Sequence, residues 1–564
     1  MAHFEYGEAV FHVEHCLDAP SNRPEMFHVE HDRCPWSPSR KRIDTIRIPL
    51  MKTRGSLPHV KPGISHFSDK RRSILLGGFA ASLTALTSAC GANSSTSTPT
   101  APTNTTAQPT PTGAITAASL LVSATSMGSI GPAFAGLSYE KSSMHEPLFT
   151  GANTALIGLY TLLGQSVLRI GGNSVDQTVW NPKGPGQTTG QVAPTDVDAL
   201  AAFLQATGWK CLYGINLGGS ATGQQTPALA ASEVAYVYQK LGSSLLGIEI
   251  GNEPDLYGNT GGYYAGGWSL SSFLSLWQQY RSAILATTPA VPITGPADAS
   301  SVSSWTIPFG QNTTKSQITL LTQHYYRANG QSPTSTAAYL ITPDTSLVSE
   351  LATLKAGAAG VGIPYRMAEC NSYYNGGASG VSNSYASSLW VIDYLFDCAL
   401  GGAAGVNFHG GGNGSGYTPI ADSNGTVVGP RPEYYGIYFF TLAGQGTLYA
   451  TNLAVGSLNA TAYAVKTASG ATNVVVVNKD STQNLQLTIQ MPNTVKTATI
   501  LELTQLYSGD SGPNLSATSG VTIQGNTIST AGAFTPQTAY TLSASANLIS
   551  CYVPYLSAIL IQTT

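Results

Sequence analysis

Two glutamates, far apart in the chain, each close an apolar run. "GIEIGNEPDLYG" (247–258) carries Ile248 and Ile250 straight into Asn252, Glu253 and Pro254, and "YRMAECNSYYNGG" (365–377) leads in the same way to Glu369. A carboxylate at the end of a buried strand is costly unless it is paired, solvated or used. Asn-Glu-Pro is also ordinary turn chemistry, because Pro254 restricts Glu253 and Asn readily starts turns. The pair, rather than either residue, therefore carries the expectation. Two facing carboxyl groups can cleave a glycosidic bond, one protonating the leaving oxygen while the other attacks the anomeric carbon or activates water.

Such a pair needs elements that bring distant residues to one place. Eight short apolar runs read as buried strands: "FAGLSYE" (134–140), "SVLRIGG" (166–172), "KCLYGINL" (210–217), "LLGIEIGNE" (245–253), "VPITGPA" (291–297), "TLLTQHYY" (319–326), "YRMAE" (365–369) and "AAGVNFHG" (403–410). Between most of them lie amphipathic segments of helix length, such as "APTDVDALAAFLQATG" and "TSLVSELATLKAGAAG". Eight strands alternating with helices predict a (β/α)₈ TIM barrel over 117–440, and Glu253 and Glu369, ending the fourth and seventh strands, then face across one mouth. An open doubly wound sheet is the alternative, but no Gly-rich nucleotide fingerprint joins a strand to a helix. After about residue 441, short β-rich runs such as "NVVVVNKD" and "LQLTIQM" predict a C-terminal β-sandwich domain to 564, with the strand around 117–126 as a candidate to join it.

At this level of detail the sequence resembles glycoside hydrolase family 79, the β-glucuronidase and heparanase-like retaining enzymes. "LRIGGNSVDQTVW" resembles the family's second-strand segment, "QHYY" its sixth strand and "ECNSYYNGG" its nucleophile loop. The resemblance implies Glu253 as the acid/base, Asn252 on the sugar 2-hydroxyl and Glu369 as the nucleophile. It also implies a tyrosine on the nucleophile, for which Tyr325 is preferred over Tyr326, since strand alternation lets only one face the mouth. Asn173 and Asp176 would hydrogen-bond sugar hydroxyls, while Arg169 is read as structural. Tyr374, Asn375, Gly376 and Tyr417 match positions that contact a uronate. The loops "CNSYYNGG" and "GGGNGSGY" contain no Lys or Arg, so neutral donors are expected to hold that carboxylate. The segment from Ile170 to Gln191 has only Lys183 as a basic residue, which disfavours an endo-acting heparan enzyme and favours an exo-acting glucuronidase. The readings left open are a barrel β-glycosidase on neutral sugars and a non-catalytic carbohydrate-binding protein.

Composition narrows the partners. Only 10% of the chain is charged, the net charge is −3 and the basic residues are scattered, which argues against nucleic acid. The 28 tyrosines suit sugar faces and β-sheet surfaces alike. Of seven cysteines, Cys211, Cys370, Cys398 and Cys551 lie in the expected domains without metal-ligand spacing, so no metal or cofactor is expected. Residues 1–90 read as leader. "KRRSILLGGFAASLTALTSAC" (70–90) has the twin arginines and the short apolar run of an export signal rather than of a membrane span, predicting a periplasmic or extracellular protein. Cys90 after Thr-Ser-Ala resembles a lipoprotein site, which would make it a lipid anchor. "MFHVEH" (26–31) can be encoded by DNA that is its own reverse complement, so residues 1–50 are expected to be a translated DNA element preceding a start at Met51; the paired histidines there are the rival, a metal tract. The Ser/Thr/Pro-rich stretch 91–116 is expected to be a flexible tether.

Overall fold

The computed structural model describes residues 106–564 apart from 265, 300 and 508–511. The expected export signal, the Cys90 anchor site and the segment before Met51 lie outside the described residues.

All eight expected strands form, and they close into one parallel barrel: Ala135–Glu140, Val167–Gly171, Lys210–Ile215, Leu245–Ile250, Ile293–Asp298, Leu320–Tyr326, Tyr365–Asn371 and Val406–Gly410. These runs are buried along nearly their whole length, as a strand covered by helices outside and by neighbours inside must be. The periodic segments between them form the outer helices, among them Pro194–Thr207, Pro227–Leu241, Leu270–Thr287, Thr345–Val361 and Tyr385–Leu400. Several start on a side-chain cap, with Thr226, Ser269 and Asp344 each accepting from a first-turn N–H.

The barrel interior is polar along part of its axis. Near the bottom, Arg366 donates to Asn407 and to the carbonyls of Phe134 and Val406. Higher up, the Arg169 guanidinium meets the Glu249 carboxylate at 2.5 Å, both fully buried. No helix among the described residues is long and apolar enough to cross a membrane.

Apart from two small two-stranded sheets, the remaining described strands form one twelve-stranded sheet that curls into a sandwich-like domain around its own core of Val474, Val476, Leu487, Ile489, Ile559 and neighbours. The strand Ala114–Ile130 runs through this sheet, between Gly446–Ala454 and Gln483–Gln490, immediately before the first barrel strand. The sheet also claims part of the stretch whose composition suggested a tether. Thr106 and Ala107 pair with Tyr540 and Thr541, and the Gln108 amide bonds the Tyr552 backbone in both directions. Ladder bonds come from the main chain, so a Thr- and Ala-rich strand at an edge pairs without large side chains. The sandwich packs on the barrel through Tyr385–Leu400 and Pro432–Leu442, where Phe396 stacks on Tyr463 at 4.2 Å.

Candidate active site

The chain leaves the fourth strand through Gly251, at φ 91°, and Glu253 takes the left-handed conformation at φ 49°, ψ 53°. A non-glycine residue there is strained and must be held by its surroundings. The holding contacts are clear: the Glu253 N–H donates to the Ala297 carbonyl at the end of the fifth strand, and His324 Nδ1 lies 3.0 Å from Glu253 Oε1. His324 comes from the sixth strand, in register with Glu369 on the seventh. One oxygen of each glutamate and a His324 ring nitrogen lie within 4.8 Å of one another, so the two carboxylates that the sequence separates do share one mouth.

Glu369 is nearly buried and closely held. Arg169 Nη1 donates to its Oε2 at 2.6 Å and the Tyr326 hydroxyl to its Oε1 at 2.8 Å. Burial by itself would raise this carboxyl's pKa, but the positive fields of His409, His324 and Arg169, with the Tyr326 hydrogen bond, outweigh it and hold the group well below the usual carboxylate range. Glu369 therefore stays ionised and oriented. Arg169 also donates through Nη2 to Asn252 Oδ1 at 2.9 Å, so one guanidinium ties the second, fourth and seventh strand ends together. The expectation of a structural Arg169 pairing at the barrel end corresponds to this network, but the residue touches Glu369 directly.

The preference for Tyr325 is corrected. Its ring packs 6.2 Å from Tyr394 and its hydroxyl donates to Asp344 at 2.9 Å, outside the mouth, while Tyr326 holds Glu369. Alternation works as expected, but His324 fixes its sense: with His324 facing the glutamates, Tyr326 must face them too and Tyr325 must face the helices.

Three further residues join the site without having been singled out in the sequence. Glu140 ends the first barrel strand and accepts from the Asn173 and Ser174 N–H groups and the Ser174 hydroxyl. It lies so close to Gly172, at φ 74°, that a Cβ there would come within 2.4 Å of its Oε2. His409, at the end of the eighth strand, stands between two carboxylates, with Nε2 3.5 Å from Glu140 Oε1 and Nδ1 3.7 Å from Glu369 Oε2. Burial disfavours its charged form, yet Glu369 and Glu140 together raise its pKa. The third is His324, which stands in "QHYY" directly before the two candidate tyrosines.

Among the described residues, Glu253, His324 and Glu369 are also the one group of three potential metal ligands that converge this closely. Their ligand atoms are already engaged, since His324 bonds Glu253 while Glu369 bonds Arg169 and Tyr326. A guanidinium 2.6 Å from Glu369 opposes a second cation there. The donor set suits proton transfer and nucleophilic attack better than metal binding.

No family model matches the chain. It is similar to curated fungal β-glucuronidases. The protein of that name from Aspergillus niger is 26% identical over 382 residues, covering 62% of this chain and 69% of that protein, and one from Neurospora crassa is 25% identical over 314 residues, covering 48% and 54%. Among solved structures, a 4-O-α-L-rhamnosyl-β-D-glucuronidase from Fusarium oxysporum superposes with a TM-score of 0.64 at 19% identity, covering 78% of this chain and 99% of that one. A GH51 arabinofuranosidase from Xanthomonas axonopodis matches with a TM-score of 0.55 at 13% identity, over 79% of this chain and all of that one. These structural likenesses concern the fold, a barrel with a β-sandwich-like domain.

The expected sugar-binding residues divide into two groups. Asn173 is exposed at the mouth, accepting from the Asn252 amide at 3.4 Å. Asp176 is different. It is buried, and its two oxygens accept from Leu217 and Gly218 N–H on one side and from Asn252 N–H and the Tyr257 hydroxyl on the other. Four donors fill a carboxylate's lone pairs, so Asp176 positions Asn252 and has no place left for a sugar hydroxyl. Tyr374, Asn375 and Gly376 are exposed on the loop after the seventh strand, Asn375 donating to Asn329 and the Gly376 carbonyl accepting from Tyr417 N–H at 3.2 Å. The Tyr417 ring lies 5.8 Å from Tyr326 and 6.1 Å from His409, which joins this loop to the Glu369 side of the mouth. Arg431 also reaches the eighth-strand loop, donating to the Gly414 carbonyl at 2.6 Å and to Asn413 at 2.9 Å. The loop without basic residues is thus braced by Arg431, the residue that caps the helix Pro432–Leu442, whose charge is taken up by loop acceptors.

Proposed function

We propose that the chain is a retaining exo-β-glucuronidase of glycoside hydrolase family 79, removing a terminal β-linked glucuronic acid from glycans or glycosides. The observation that carries this reading is the approach of the Glu253 and Glu369 carboxylates, with oxygens within 4.8 Å, in a chain whose relatives are named β-glucuronidase. A separation of about 5 to 5.5 Å between carboxyl groups leaves no room for a water between nucleophile and anomeric carbon, and so favours double displacement.

In this mechanism Glu369, kept anionic by Arg169 and Tyr326, attacks the anomeric carbon from the face opposite the leaving group. Glu253 donates its proton to the departing oxygen, then removes a proton from the water that cleaves the glycosyl ester. Glu253 thus changes protonation state twice per turnover, and His324 at 3.0 Å provides a partner that can donate or accept as it does so. Asn252, fixed by Arg169 and Asp176, presents its amide to the sugar 2-hydroxyl. Tyr374, Tyr417 and the backbone around Asn375 and Gly376 supply neutral donors for the uronate.

A panel of aryl β-glycosides tests the reading: the glucuronide is cleaved, while glucoside, galactoside and xyloside are cleaved far more slowly, and proton NMR of early product shows the β-anomer. Preferred cleavage of a neutral sugar, or an α-anomer as first product, overturns it. Within that framework, Tyr417→Phe removes one hydrogen bond to a charged group, a loss of roughly 1.5 to 3 kcal/mol. It lowers kcat/KM for the glucuronide about ten-fold to a hundred-fold and leaves the residual glucoside rate nearly unchanged. Equal losses on both sugars would make Tyr417 a loop support rather than a carboxylate ligand.

A further inference from the structure

Behind Glu253 lies a second pair of carboxyl groups that the reaction itself does not use. Asp255 follows Glu253 by two residues on the short 3₁₀ turn Pro254–Leu256, and Asp298 is the last residue of the fifth strand, fully buried. Both converge on Ser301. Its N–H donates to Asp298 Oδ2 at 2.8 Å and its hydroxyl to Asp255 Oδ2 at 3.3 Å. Asp298 Oδ2 accepts in addition from Thr306, and Asp255 Oδ1 from the Ala299 N–H. That leaves Asp298 Oδ1 buried with no donor among the described residues.

An isolated buried carboxylate oxygen of this kind is expensive, and two facing carboxylates cannot both remain ionised at low cost. A proton on Asp298 would resolve both difficulties, with the Asp255 carboxylate, drawn to the same Ser301, as the acceptor for the acid's O–H. Burial, followed by the field of Asp255, pushes the Asp298 carboxyl up to about 9, in agreement with the geometry. The strand end that carries Asp298 is also the one that holds the strained acid/base. Ala297, next to it and itself at φ 60°, accepts the Glu253 N–H at 2.9 Å. Asp298 is locked from the other side, since its carbonyl accepts from Gln323, which neighbours His324, and the single Thr306 hydroxyl proton is shared between Asp298 Oδ2 at 3.2 Å and Gln323 Oε1 at 2.6 Å.

We propose that Asp298 and Asp255 share one proton in a carboxylic acid–carboxylate hydrogen bond, and that this bond is a positioning device that holds Glu253 in its left-handed conformation against the fifth strand. The inference rests on the reading of Glu253 as the acid/base. Neither aspartate touches substrate in this account. They act by fixing the turn that starts at Glu253 to the strand whose carbonyl binds its N–H, so loosening the pair misplaces the proton donor while leaving Glu369 on its separate Arg169 and Tyr326 supports.

The consequence is a selective defect. Steady-state kinetics on phenyl β-glucuronide, which needs protonation for departure, are compared with 2,4-dinitrophenyl β-glucuronide, which does not. Asp298→Ala and Asp255→Ala each lower kcat/KM, which reports formation of the glycosyl intermediate, about ten-fold to a hundred-fold on the phenyl substrate, the scale of a misplaced catalytic group, with losses in kcat/KM under about three-fold on the dinitrophenyl substrate. Asp298→Asn recovers most of the phenyl activity, because its amide still donates to Asp255 and its oxygen still accepts from Ser301 and Thr306. Should buried Asp298→Ala fail to fold, the half-buried Asp255→Ala and the conservative Asp298→Asn carry the comparison. Equal losses on both substrates, no loss in Asp255→Ala, or an Asp298→Asn enzyme as impaired as Asp255→Ala would each overturn the proposal. A wild-type enzyme inert on every β-glucuronide would instead remove the glucuronidase reading, so the two failures are distinct.

Discussion

Glu369→Gln abolishes turnover of even the most activated aryl β-glucuronide, by on the order of 10⁴-fold or more, the scale seen when a covalent nucleophile is removed. The amide keeps the shape and can still meet Tyr326, but it has no negative oxygen to attack carbon and it faces Arg169 without a charge to pair. Glu253→Gln behaves differently. General acid catalysis contributes roughly 10²- to 10⁴-fold, and only where the leaving group needs a proton. Formation of the glycosyl intermediate from a dinitrophenyl glucuronide therefore stays close to the wild-type rate, whereas a phenyl or alkyl glucuronide is cleaved slowly. Its second step slows for every substrate, because water no longer meets a base, so the activated substrate gives a burst followed by a slow steady state. Pre-steady-state absorbance of the released phenol separates the two variants directly. A burst in Glu369→Gln, or identical leaving-group dependence in both variants, would reverse or cancel the assignment of roles.

What the sequence made legible follows from which interactions leave a pattern along the chain. The barrel strands are legible because each is a buried apolar run bounded by turn residues, and all eight expected runs form. Glu253 and Glu369 are legible because a carboxylate breaking an apolar run needs a reason. The same rule applied to "FAGLSYE" would have picked out Glu140, which ends the first strand as they end theirs. His409 and Arg169 have no such signature. Their roles depend on which strand ends lie side by side across the mouth, and a sequence gives strand order but not the rotation of each strand about its axis. The choice between Tyr325 and Tyr326 turned on that rotation alone. Asp176 illustrates a further limit: the position was recognised, but only the fold reveals that four donors already surround its carboxylate. The residues at 106–116 show the reverse case, where main-chain pairing organises a stretch whose side chains carry no strand signal.

Arg169→Met should be the most damaging substitution away from the two glutamates of the proposed mechanism. The guanidinium is fully buried and contacts Glu249, Glu369 and Asn252 at 2.5, 2.6 and 2.9 Å. Removing the cation strands the buried Glu249 carboxylate and leaves Glu369 only Tyr326 and the histidines, and breaking a buried ion pair from one side costs about 3 to 5 kcal/mol. That is a large part of the roughly 5 to 15 kcal/mol that holds a domain together. The pH dependence has a definite sign. In the wild type, Glu369 has a depressed pKa, so its contribution to stability is present above the ordinary carboxylate pKa and is lost as pH falls through the folded-state value. Without Arg169 that depression shrinks, so the deficit of the variant is greatest near neutral pH and narrows below about pH 4, where the carboxyls of the unfolded chain also take up protons. Adding Glu249→Gln removes that stranded charge and restores part of the stability. It does not restore activity, because Glu369 and Asn252 still lack the group that orients them. Denaturant titrations of wild type, Arg169→Met and the double variant at several pH values, alongside kcat/KM on an aryl glucuronide, measure each step. A variant as stable as wild type at neutral pH, or a double variant that regains full activity, would show that Arg169 is a bystander to Glu369 rather than its support.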